Sequence, residues 1–405
     1  MQFEHIHFGA GRQGVGGVVP VSCAAGGRVH VVVHGASELS RECTLACRVG
    51  AADGGEEGEL DFASFSPADT IEQLHRDARD ALESAPELLL TTALSPRGVQ
   101  EQSEFLVAIA QGRRDRGQRT VFVACEEELG EEHERLLEHL QSLGVDVRRC
   151  AFYRLCSQDL RYSGRDRRSV VVAEELEWVI EGEADCELLC ALARVPGVIF
   201  AQHIDQHQRR IRWLASGPRL SLALLAAAEK QPQIAIPSVA SESEEWLEWA
   251  HAALVPLVRE RCPDLDCIES YAQRTRRALL EHSDDGLTAL RNMRRSGLRA
   301  FMRELQRLIG DPWRAYFETE APVPAELSRL LYALRTVLSD MESYSDYEPY
   351  AWGDTMLFTR DDFRATVAYE ALLTDVLPPT RVKELAKNLA DRLKEHREDL
   401  PGLSG

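Results

Sequence analysis

The sequence predicts an α/β protein in which a Rossmann-like, doubly wound parallel sheet is followed by an all-helical second domain. Three observations carry that expectation. Short β-type runs alternate with helical periods through the first half, the pattern of strands joined by crossover helices. A glycine-rich turn follows the first β run directly. Beyond about residue 200 the apolar residues recur at three and four, as on a helix face.

Taken in order, residues 3–8 are the first strand, glycines follow, and residues 28–34 are the second. Residues 70–84 read as a helix, with Ile71, Leu74, Ala78 and Leu82 at helical spacing. Residues 54–59 read as a solvated acidic loop. Residues 86–92 and 120–125 are compact apolar runs of the kind buried on both faces of a parallel sheet. Residues 100–112 and 131–143 read as helices interleaved with them, and the acid-rich segment 126–134 as a solvated helix start, where carboxylates suit the dipole. Residues 169–181 look extended and add to the sheet near the domain boundary. The helical part shows Leu220, Leu224 and Leu225, then Trp246, Trp249, Leu254 and Leu257, then Leu298, Phe301, Leu305 and Leu308, then Leu385, Leu389 and Leu393. Trp246 and Trp249 read as packing. Gly- or Pro-containing loops interrupt it at 310–312, 320–324 and 377–380. The expected domains are 1–200, of dinucleotide-binding type, and 201–405.

A chain of 405 residues has room for two or three domains of about 150 residues each. Acidic residues number 66 against 47 basic ones, a net charge of −19. That field repels phosphate backbones and anionic lipid, which argues against nucleic acid or membrane binding as the main role. There is no apolar run of about 18 residues and no secretory pattern at the start, so the expected compartment is the cytoplasm. The 10 cysteines show no paired zinc-ligand spacing, so they read as reduced, mostly buried apolar residues, with no metal expected.

Phe8-Gly9-Ala10-Gly11-Arg12-Gln13-Gly14 is a G-x-G-x-x-G turn after a strand. Gly9 would allow the tight turn, Gly11 would let backbone approach a diphosphate, and Gly14 would let helix and strand pack closely. The diphosphate would meet free N–H groups at the helix N-terminus. A tight turn that binds nothing is the competing reading.

The surrounding segments resemble the mannitol-1-phosphate dehydrogenase family, a branch of the long-chain polyol dehydrogenases. His7-Phe8-Gly9-Ala10-Gly11 is similar to the family's HFGAG start, and Thr91-Thr92-Ala93-Leu94-Ser95-Pro96 to its TTAVGP segment. Ala124-Cys125-Glu126-Glu127 resembles its ACEN segment, and Glu175-Leu176-Glu177-Trp178 its FSEW strand. Tyr153-Arg154-Leu155 lies where the family has a D-R-I run. Order and spacing agree to about residue 220. The resemblance implies a Rossmann domain, a helical substrate domain and a cleft between them, with Gly9, Gly11, Arg12, Gly14 and Thr92 nearest any NAD or NADP that binds.

The chain departs from that family where the chemistry should be. Oxidising an alcohol by hydride transfer needs a base for the hydroxyl proton and donors for the oxyanion. The family's K-x4-N-x2-H signature corresponds here to Arg210, Ala215 and Pro218. Arginine keeps its proton, and alanine and proline side chains donate nothing. Twenty residues past Gly14 stands His34 rather than a ribose-binding acid, and Arg41 is a candidate for a 2′-phosphate or a solvated charge. Glu126, Glu127 and Glu128 would disfavour an anionic cofactor near them.

Other residues offer replacements. His203 and His207, four apart, are candidate general bases, half of a metal site, or polar contacts. Tyr153 and Arg154 would line the cleft, with Arg154 holding an anion or pairing with a glutamate. Arg294, Arg295, Arg299 and Arg303 form a basic stripe that grips an anion or balances surplus acids. Tyr344, Tyr347, Tyr350 and Trp352 make a recognition surface or a lid. The joint loss of base, oxyanion donors and ribose acid favours a dehydrogenase-like pseudoenzyme with no cofactor. It would hold a peptide or a biosynthetic intermediate for partner enzymes. The alternative is a divergent NAD(P)-dependent oxidoreductase acting on a polyol-like or other small alcohol or carbonyl substrate, with His203 or His207 as base.

Overall fold

The computed structural model describes residues 2–9, 13–33, 44–49, 56–61, 64–67, 76, 78–94, 96–126, 131–157, 168–228, 240–281, 306–312, 315 and 330. The chain divides into two compact units, Met1–Ile211 and Arg212–Gly405.

The first unit is built on one sheet. Its strands are β1 Phe3–Phe8, β2 Gly27–Val33, β3 Thr44–Val49, β4 Glu56–Asp61, β5 Ser64–Pro67, β6 Glu87–Thr92, β7 Arg119–Ala124, β8 Asp146–Ser157, β9 Arg168–Glu181 and β10 Val198–Ala201. The spatial order is β4-β3-β9-β8-β7-β6-β1-β2-β5, with β10 added beside β9. Strands β5, β2, β1, β6, β7 and β8 run parallel. β1 lies between β2 and β6, so the connections leave it in opposite directions. The carboxyl ends of β1 and β6 therefore form the switch point where open α/β sheets take ligands. β8 pairs parallel with β7 over its first residues and antiparallel with β9 beyond Cys150, with an irregularity between Arg154 and Cys156.

Side chains from alternate positions of each buried strand feed two cores. One holds Ile6, Phe8, Leu88, Leu90, Phe122 and Ala124 under α2 Arg79–Glu83, α3 Pro96–Asp115 and α4 Glu131–Ser142. The other holds Phe3, Leu89, Val121, Val123, Phe152 and Trp178 under α1 Val19–Ala24 and α5 Glu187–Leu192. Helices on both faces make the sheet doubly wound, as the apolar runs require. Helix α6 Ile204–Ile211 closes the unit.

Several elements differ from expectation. Of the helix expected over 70–84, Arg79–Glu83 is helical and begins after Ala78 (φ −118°), while residues 70–75 and 77 lie outside the described residues. Glu56–Asp61 is a strand pairing antiparallel with β3, not a solvated loop. β8 has no apolar signature at its start because Asp146, Arg148 and Arg149 stand there. Arg148 bonds Asp146 and Asp185 and donates to the carbonyls of Glu181 and Glu183, so its charge is internal to the fold.

The described part of the second unit is helical. A π-turn, Arg212–Ser216, leads into α7 Gly217–Ala228, followed by α8 Ala240–Arg261, α9 Ile268–Glu281 and a π-turn, Gln306–Gly310. A side chain at Gly217 would meet the Leu308 carbonyl oxygen at 2.2 Å, so glycine sets that close approach. A π-turn disturbs the helical hydrogen-bond ladder, and His251 Nε2–H donates to the Leu214 carbonyl at 2.8 Å. Burial pushes the His251 pKa down to about 4. Trp246 and Trp249 pack with ring centroids 5.0 Å apart.

Candidate functional site

The glycine turn sits at the switch point. Gly9 has φ +116°, a conformation open to glycine, and a side chain there would lie 2.5 Å from the Ala93 carbonyl oxygen. Its N–H bonds the Val32 carbonyl, and Ala93 N–H bonds that of Phe8, so β1, β2 and β6 end together. A π-turn, Gly14–Val18, runs into α1, and its N-cap Gln13 makes no side-chain cap. A Cβ at Gly14 would stand 2.1 Å from His7 Nε2, and one at Gly17 would stand 2.2 Å from Phe152. Gly9 thus makes the turn, and Gly14 and Gly17 bring the helix onto the strands. An uncapped helix start at the end of a central parallel strand is a fit for a dinucleotide diphosphate. Gly11, Arg12, His34 and Arg41 lie outside the described residues.

Beneath the turn runs a buried polar row. His5 Nδ1 meets Ser22 Oγ at 2.8 Å, and His5 Nε2 meets Thr91 Oγ1 at 2.7 Å. His7 Nδ1 meets the same Thr91 hydroxyl at 2.6 Å. Burial holds both rings neutral. It pushes His7 down to about 3 against the pull of the Gly9 backbone, and it holds His5 well below the ordinary histidine range, helped by its neighbours His7 and His30.

Thr92 and Glu126 meet on the other face. The Thr92 hydroxyl donates to Glu126 Oε2 at 3.0 Å, and Leu94 N–H donates to Oε1 at 3.1 Å. Thr92, expected near a cofactor, spends its hydroxyl internally. Glu126, expected on a solvated acidic face, is buried, and that burial raises its pKa against the donors that favour its charge. His133 Nε2 is 4.0 Å from Oε1. Glu127 and Glu128 lie outside the described residues.

The third group forms where α6 lies on β8 and β9. Gln208 Nε2 donates to the Cys150 carbonyl at 2.9 Å, pinning α6 to β8. Arg210 Nη2 donates to Glu177 Oε1 on β9 and meets His207 Nδ1 at 3.2 Å. His207 Nδ1 is 3.7 Å from Glu177 Oε1. Glu177 stands opposite buried Tyr153 on β8, on the face away from Phe152 and Trp178. Burial lowers the His207 pKa, and Asp205 pulls the other way.

The structure therefore brings His207 to Arg210 and leaves His203 exposed just before α6, its carbonyl accepting from Gln206 N–H. Ala215 in the π-turn and Pro218 in α7 are both buried. Among the described residues no group of three His, Cys, Asp or Glu side chains could hold a metal ion. Cys125, Cys150, Cys186 and Cys262 are buried thiols, while Cys190 and Cys267 are exposed. The side chain of Arg154, the basic stripe at 294–303 and the aromatic segment 342–353 lie outside what is described. Sequence reasoning missed Glu177 as a partner of Arg210. Its signal was an acid on a strand position whose neighbour, Trp178, belongs to the core.

These features define a Rossmann-like unit followed by a helical unit. The chain's fold is similar to that of a D-sorbitol dehydrogenase in substrate-free form, at 14% identity and a TM-score of 0.62, covering 98% of this chain and 96% of that one. It is also similar to Pseudomonas fluorescens mannitol 2-dehydrogenase in complex with NAD and D-mannitol, at 12% identity and a TM-score of 0.63, covering 99% of this chain and 95% of that one. Neither a protein-family model nor a curated protein sequence matches. The likeness establishes the fold of the polyol dehydrogenases. It does not single out the mannitol-1-phosphate branch.

Proposed function

We propose that this chain is a divergent NAD(P)-dependent oxidoreductase for a polyol-like or other small alcohol or carbonyl substrate. The observation that carries the reading is the assembly of His207, Arg210 and Glu177 where the resembled family begins its catalytic signature. A nicotinamide dinucleotide would supply the hydride chemistry. Gly9 and Gly14 shape the turn that would hold it, with α1's first N–H groups uncapped by a side chain. His207, held beside Arg210, would be the group that meets a substrate oxygen. The mannitol 2-dehydrogenase of like fold is a complex with NAD and D-mannitol, which makes those the first ligands to try.

The test is a fluorescence titration of the full chain with NADH and NADPH. Binding of one in the low micromolar range is expected. Turnover is then measured with D-mannitol and D-sorbitol, and with their 2-keto counterparts in reverse. His207→Ala should lower kcat by about 10²-fold, the scale of lost proton or hydrogen-bond help to the reacting oxygen.

A second reading is favoured by one observation: Ala215 and Pro218 are buried and chemically inert where donors would stand. It is the non-catalytic protein holding a peptide or biosynthetic intermediate for partner enzymes. No binding of either dinucleotide at millimolar concentration would put that reading first.

A further inference from the structure

We propose that Arg210 and Glu177 are positioning residues that fix His207 with its single proton on Nε2, so that the ring meets a ligand oxygen as a hydrogen-bond donor and takes no proton from it. The Nε2–H would hydrogen-bond the carbonyl or alkoxide oxygen, and the proton that the oxygen gains in reduction or loses in oxidation would be exchanged with solvent. This rests on the oxidoreductase reading for its substrate, but not for its geometry.

The argument begins with the donor inventory. A guanidinium has five N–H groups and no acceptor. Arg210 Nη2 lies 3.2 Å from His207 Nδ1, so the N–H must donate into the ring's lone pair there. A proton on Nδ1 would place two hydrogens between the same two nitrogens. The lone pair of Nδ1 is thereby occupied, and the ring's own proton sits on Nε2.

Glu177 decides which way the arginine turns. Its Oε1 takes Arg210 Nη2 directly and stays 3.7 Å from His207 Nδ1, beyond hydrogen-bond range, so the carboxylate holds the guanidinium and not the ring. Arg210 and Glu177 are both buried, which stiffens the pair. The Gln208 bond to the Cys150 carbonyl fixes the helix that carries His207. Ionisable groups that act on the ring include Asp205 and Arg210 on α6 and Glu177 on β9, whose register partner on β8 is Tyr153. Burial favours the neutral ring over the charged one.

The experiment is two-bond 1H–15N correlation on the full chain labelled at histidine nitrogen, with His207 assigned by its loss in His207→Gln. The expected spectrum shows His207 neutral at pH 7, with Nε2 protonated and Nδ1 bare. Arg210→Met should convert it to a mixture of tautomers. Arg210→Lys, which keeps a buried cation with donors, should restore the wild-type pattern. Glu177→Gln should weaken the pattern less than Arg210→Met. A wild-type ring protonated on Nδ1, or a tautomer unmoved in Arg210→Met, overturns the proposal. If Arg210→Met does not fold, the wild-type and Arg210→Lys spectra still decide it. NADH and NADPH titrations are run on the same samples. Failure of both to bind sinks the oxidoreductase reading while leaving the tautomer result standing.

Discussion

Two buried arginines of the first unit, Arg113 and Arg210, solve the same problem in different ways. Arg113 is 1% exposed and gives every described bond to a neutral oxygen: Thr120 Oγ1 and the carbonyls of Ala81, Leu82, Ala85 and Arg119. Those carbonyls belong to the end of α2, the loop after it and the start of β7, so the side chain ties down groups that would otherwise be buried unpaired. Burial lowers its pKa to about 10, which still leaves it charged at neutral pH. Arg210 is 8% exposed, and its bonds include those to a carboxylate and an imidazole. A cation satisfied by carbonyls is a structural clamp. A cation touching titratable groups also sets where their protons sit. Burial alone does not separate the two; the chemistry of the acceptors does.

The largest effect is expected at Arg113. Arg113→Leu leaves the carbonyls of Ala81, Ala85 and Arg119 and the Thr120 hydroxyl without this donor. The loss should be about 3–5 kcal/mol, the range for breaking a buried charged network. It is measured as a fall in the denaturant midpoint of the first unit. A loss below about 1 kcal/mol would dissolve the distinction, because surface-like changes cost that little.

Neutral buried bases give the contrasting case, with a pH signature. His7 is held at about 3 in the first unit and His251 at about 4 in the second. Both folded values lie below the ordinary 6.5, so the unfolded chain binds more protons between those limits. Stability is therefore fully present above pH 6.5 and falls as the pH drops toward 3 to 4, by up to about 1.4 kcal/mol per pH unit for each group. His251→Gln keeps an amide donor for the Leu214 carbonyl and removes the titration. It should shift the acid transition of the second unit to lower pH, while that of the first stays put. Denaturation series across that range measure both.

The sequence made the central sheet legible because strands buried on both faces must be apolar throughout: residues 3–8, 86–92 and 120–125 coincide closely with β1, β6 and β7. It hid β8, whose first residues carry charges matched by one another and by partners far along the chain, among them Asp185 and the carbonyl of Glu183. The same holds for the site. Gly9, Gly14 and His207 stood out as a motif and as a residue type. Glu126 read as one acid in a charged run, and its burial depends on Thr92 and Leu94, more than 30 residues away. Glu177 meets Arg210 across 33 positions. Pairings of that range come from the topology, which no local pattern encodes.

The smallest effect is also the sharpest test of the contrast: replacing each arginine by lysine. At Arg113 the ammonium offers three donors from one point, where the planar fork reaches Thr120, Ala85 and the carbonyls of Ala81 and Arg119 in different directions. Arg113→Lys should therefore cost about 2 kcal/mol, since at least one buried carbonyl loses its donor. At Arg210 the same nitrogen serves one carboxylate and one ring nitrogen, close enough together for a single ammonium to meet both. Arg210→Lys should cost less than about 1 kcal/mol in stability and leave the His207 tautomer intact. Equal losses at the two positions would mean that Arg210, too, is a clamp, and that the ring beside it takes its tautomer from something else.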